Sequence, residues 1–80
     1  MSEFIKIKLL NVLRIMEETD SDHPLNSSGI GRKLEDKGIK AERKSIARDI
    51  KCIQEVGYPV FQCENRRLGW YMDKSKEKRK

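Results

Sequence analysis

The stretch from Glu42 to Gly57 limits most strongly what this chain can become. Ile46, Ile50 and Ile53 recur at i, i+4 and i+7, so they line one face of a helix. A turn of about 100° per residue sets Lys44, Arg48 and Lys51 on the opposite face. The apolar side demands a core, and the basic side demands water or an anion. Gly57 is a natural stop, because glycine adopts the left-handed conformation past a helix end cheaply. Glu42 stands at the helix start, where negative charge favours the dipole. Asp49 falls between the two faces, a position that suits a structural ion pair.

Two short runs rich in aromatic and β-branched residues follow, Tyr58-Pro59-Val60-Phe61-Gln62-Cys63 and Gly69-Trp70-Tyr71-Met72. Between them lies the polar segment Glu64-Asn65-Arg66-Arg67-Leu68. The pattern predicts a β-hairpin with Arg66 and Arg67 near its tip. A basic helix face by itself is most often only solvated. A basic-faced helix followed directly by a basic-tipped hairpin is the layout of a winged helix-turn-helix.

Upstream, residues 3 to 18 predict a first helix, with Ile5, Leu9, Val12, Leu13 and Met16 on one face. Ile7 and Leu10 lie off that face. Either they are partly covered by a loop or tail, or they form a self-association surface that makes a homodimer. Thr19 to Pro24 is a polar, acidic loop, and Pro24 forbids continuation of the helix. Its acidic residues would be repelled by DNA, so it should face away. Leu25 is expected to pack inward as a short strand beside the later hairpin. Asn26 or Ser27 then caps a second helix over 27–36, whose only large apolar residues are Ile30 and Leu34. Gly29 and Gly31 each cost up to about 1 kcal/mol relative to alanine, so neighbours must hold this helix. Gly31 either permits close approach of another helix or is simply tolerated. Gly38 ends the helix, and Ile39 is expected to plug the core between the second and third helices.

The chain has 80 residues, enough for one small domain with a modest core. No apolar run is long enough to span a membrane, and Met1 to Phe4 does not read as a signal peptide. The net charge is +5, and its placement says more than its size. Residues 1–40 balance seven Lys/Arg with seven Asp/Glu, whereas residues 41–80 hold eleven against six. The whole excess lies in the half with the basic helix, the hairpin and the tail, which fits a polyanion-binding face. Cys52 and Cys63 form no metal-binding pair, and His23 stands alone in the acidic loop. No metal and no cofactor are expected, and two reduced cysteines place the chain in the cytoplasm. No nucleophile–base pair appears, so an enzyme is not expected. From residue 73 to 80 the sequence is basic and free of apolar side chains, hence an unstructured tail. Three readings of that tail stay open: a phosphate clamp, a solvated end, and the start of a linker.

From Ile7 to Met72 the chain resembles the N-terminal winged-helix domain of WYL-domain, DeoR-like bacterial transcriptional regulators. The resemblance is strongest in Arg43-Lys44-Ser45-Ile46-Ala47-Arg48-Asp49-Ile50. It continues in Gly57-Tyr58-Pro59-Val60, in Gly69-Trp70-Tyr71-Met72 and in His23-Pro24-Leu25 ahead of the second helix. Three features depart from the family. Ala47 stands where members often carry tyrosine, Leu68 replaces the first glycine of the wing pair, and the ligand-sensing C-terminal domain is absent. The resemblance implies either a fragment of a longer regulator or a stand-alone DNA-binding domain. Any effector would bind a missing C-terminal domain.

The expected fold is α+β, with three helices and a two-stranded wing over residues 1–72. The expected function is sequence-specific binding of double-stranded DNA in transcriptional control, at the bacterial nucleoid. The third helix would enter the major groove, with Lys44, Ser45, Ala47 and Arg48 at or near base edges. Arg43, Lys51, Arg66 and Arg67 would contact phosphates, with the minor groove a second possibility for the two wing arginines. Ser28 and Arg32 of the second helix would reach the backbone. The competing reading is a protein-interaction module whose basic face meets an acidic protein and binds nucleic acid only weakly. Single-stranded RNA is disfavoured, because no pair of exposed aromatics is placed as a stacking platform.

Overall fold

A computed structural model describes residues 3–76. Three helices come first: α1 (Glu3–Glu17), α2 (Ser27–Asp36) and α3 (Arg43–Val56). A two-stranded antiparallel hairpin follows, β1 (Val60–Gln62) and β2 (Trp70–Met72). The layout is α+β and consistent with a winged helix. Val60 pairs with Met72, Phe61 with Tyr71, and Gln62 with Trp70. Two helix boundaries follow directly from residue type. The Asn26 side chain accepts a 2.8 Å hydrogen bond from the Gly29 amide and caps α2. Gly57 closes α3 at φ +117°, in the left-handed region that a side chain resists.

The core is one cluster to which all three helices and both strands contribute. Ile46, Ile50 and Ile53 of α3 meet Ile30 and Leu34 of α2 and Val12, Ile15 and Met16 of α1. Ile39 plugs the α2–α3 turn, while Val60 and Met72 close the hairpin end. Leu25 exchanges backbone hydrogen bonds with Trp70, at 2.9 and 2.8 Å, and so forms a one-residue antiparallel bridge beside β2. Thr19 ties the hairpin to the end of α1. Its hydroxyl donates to the Met16 carbonyl at 2.6 Å and accepts from the Met72 amide at 2.9 Å.

Two expectations change. The buried face of α1 is centred on Val12, Ile15 and Met16 rather than on Ile5, which is 43% exposed. Leu9 and Leu13 pack at the edge of the core, half-buried. The stretch after Met72 is not wholly irregular: Lys74–Lys76 form a 3-10 turn, with Asp73 accepting from the Ser75 amide and hydroxyl. Residues 77–80 of the proposed tail lie outside the described residues.

Candidate nucleic-acid interface

The exposed face of α3 carries Lys44, Ala47, Arg48 and Lys51, all open to solvent. The same line of the helix reaches Glu55 one turn beyond Lys51, so its basic character ends there. Arg43, the first residue of α3, is also exposed and points toward α2, with its guanidinium 3.5 Å from the Ser28 hydroxyl.

The hairpin tip is a 3-10 turn over Arg66–Leu68, started by the Asn65 side chain, which accepts from the Arg67 amide at 3.0 Å. Leu68 ends this turn with its side chain half-exposed, and Gly69 follows it at φ +90°. Asn26 serves twice. Its carbonyl oxygen caps α2, and its amide donates to the Arg67 carbonyl at 2.9 Å. The wing tip is therefore bolted to the start of α2. The result is an open cleft of about 430 Å³ lined by Asn26, Ser27, Ser28, Arg43, Arg66, Arg67 and Trp70. Three arginines, two hydroxyls and the first turn of α2 face one space, which is the donor set that an oxyanion such as a backbone phosphate requires.

The structure thus brings Ser28, Arg43, Arg66 and Arg67 together beside the exposed Lys44, Ala47, Arg48 and Lys51. Two of the expected contact residues stand apart. Arg32 is exposed but lines a different depression, with Glu35 and Lys40. Ser45 is half-buried and turned toward α1, where its hydroxyl accepts a 2.7 Å hydrogen bond from the Lys8 ammonium. The same ammonium pairs with the Asp49 carboxylate, and both side chains are nearly buried, at 6% and 12% exposure. Lys8 is a site residue that sequence reasoning missed. Its ammonium ties α1 to α3 through Ser45 and Asp49, while the buried Ile46, Ile50 and Ile53 set which face of α3 turns outward. Asn26 was legible as a cap but not as a brace, because its second partner lies 41 residues away.

The acidic loop after α1 lines no part of the cleft. Within it the His23 ring hydrogen-bonds Asp20 at 2.9 Å, which holds the Asp20 carboxyl below its ordinary range. Both cysteines are free thiols, Cys52 exposed and Cys63 half-buried. Among the described residues, no three His, Cys, Asp or Glu side chains come together in a way that could hold a metal ion. Among the described residues, no helix is long and apolar enough to cross a membrane. In comparisons with protein-family models, curated proteins and solved structures, none matches this chain.

Proposed function

We propose that the chain is a DNA-binding domain that recognises a specific duplex sequence and serves transcriptional control in the bacterial cytoplasm. The observation that carries this reading is the cleft between α2 and the wing, continuous with the basic face of α3. α3 spans about 21 Å and presents Lys44, Ala47 and Arg48 from its first half, the part that reaches base edges in a helix-turn-helix. In this reading Arg43, Ser28, Arg66 and Arg67 meet the phosphates beside it, and Lys51, on the same face as Lys44, meets the backbone further along the helix. Phosphate contacts fix register and base contacts give preference, so the two groups divide the work. Ser45 acts indirectly, since its hydroxyl is engaged by Lys8.

The resemblance to the N-terminal domain of WYL-domain, DeoR-like regulators supports the same reading and extends it to transcription. Selection from a random duplex library tests it. The proposal requires convergence on one motif and a clear preference for that motif over its scrambled version. Failure to enrich any motif, together with equal weak binding to all duplexes, would favour the protein-interaction module.

A further inference from the structure

We infer that α1 carries a self-complementary face through which two copies of this chain associate antiparallel. The apolar residues of α1 exceed what one core can bury. Val12, Ile15 and Met16 face inward, while Ile7 is 50% and Leu10 59% exposed on the side of α1 away from the core. Glu3, Ile7, Leu10 and Arg14 succeed one another at spacings of four, three and four. That is the seam spacing of a two-helix contact, with apolar residues in the middle and opposite charges at the ends.

The charges select the occupant and its direction. Laid antiparallel about an axis between Lys8 and Leu9, Ile7 meets Leu10 of the second copy, and Glu3 meets Arg14 at both ends. A parallel pairing would set Glu3 on Glu3 and Arg14 on Arg14. A second copy in the antiparallel sense therefore satisfies all four positions at once. Leu10 also continues into an apolar groove of about 170 Å³, lined by Leu9, Leu13, Cys52 and Val56, with Val56 70% exposed. Covering the seam removes this adjoining surface from water too. A face of four seam positions on one helix is small for a specific interface, so the dimer is weak and forms at high concentration. The seam lies on α1 and its groove reaches α3 only at the C-terminal residues Cys52, Ile53 and Val56, so association leaves Lys44 and Arg48 open. The inference is independent of DNA binding and stands or falls separately.

Sedimentation equilibrium of the 80-residue chain at concentrations up to about 1 mM tests it, with circular dichroism to confirm that each variant is folded. Wild type should move toward twice the monomer mass as concentration rises. Leu10→Glu, at an exposed position, should abolish the shift. Glu3→Arg should weaken it about three- to tenfold, because both end pairs become repulsive. Adding Arg14→Glu should restore it. A monomer at every concentration would overturn the proposal. So would a dimer indifferent to Leu10→Glu, or a charge reversal that the second reversal does not rescue.

Discussion

Ile50 is 1% exposed at the centre of the cluster formed by all three helices. Removing three carbons there leaves a cavity that surrounding helices can close only in part, so Ile50→Ala should cost about 2–5 kcal/mol. A melting temperature lowered by only a degree or two would show the position to be less central than its burial indicates. The burial of Ile46, Ile50 and Ile53 was legible in the sequence, because three isoleucines at helical spacing admit one face. Lys8 was not legible. A lysine inside an amphipathic helix is expected in water, and only the approach of α1 to α3 reveals that it lies buried against Asp49 and Ser45. Replacing one member of a buried pair strands the other charge. Lys8→Met should destabilise by about 3 kcal/mol, near the lower end of such changes because Asp49 is at the core's edge. Adding Asp49→Leu should recover most of that loss in chemical denaturation. Simple additivity of the two substitutions would mean that the pair contributes nothing jointly.

The wing is joined to the start of α2 at two points, the Leu25–Trp70 backbone pair and the Asn26 brace to Arg67. Gly69 makes both possible. It is buried, takes φ +90°, and a Cβ there would run into the backbone of Leu25 and Asn26. Gly69→Ala should therefore detach the wing from α2, seen as faster amide exchange at Leu25 and Trp70 and a clear loss of thermal stability. Retained protection at both amides would contradict this account of the wing's attachment. The hairpin, a cap for α2 at Asn26 or Ser27, and the pairing of Leu25 beside the hairpin could be read from residue type and spacing. The orientation of α1 could not, since Ile5, Ile7, Leu9, Leu10, Val12, Leu13, Ile15 and Met16 crowd one helix and permit more than one apolar face. The convergence of Arg43 with the wing arginines was equally hidden, because it depends on how α2, α3 and the hairpin meet. Arg66→Ala with Arg67→Ala tests what that convergence does. The pair should weaken binding to all duplexes alike and lower the magnitude of the log–log salt slope by about one per lost phosphate contact. An unchanged slope would place the wing off the DNA.

At the scale of the whole molecule, the net charge of +5 comes entirely from the half that contains α3 and the wing. The domain measures 31 × 29 × 18 Å, small enough that one basic surface dominates how it meets a polyanion. Charge alone gives affinity without preference, so the central claim is that the face of α3 reads sequence. Arg48 is the residue that separates the two, since it stands exposed mid-helix on the face opposite the buried Ile46, Ile50 and Ile53. The measurement is the affinity of wild type and Arg48→Ala for the selected duplex and its scrambled version at one fixed salt concentration. The account predicts that wild type prefers the selected duplex, and that Arg48→Ala loses about 1–3 kcal/mol on it with little change on the scrambled one. Equal affinity of wild type for both duplexes would contradict it.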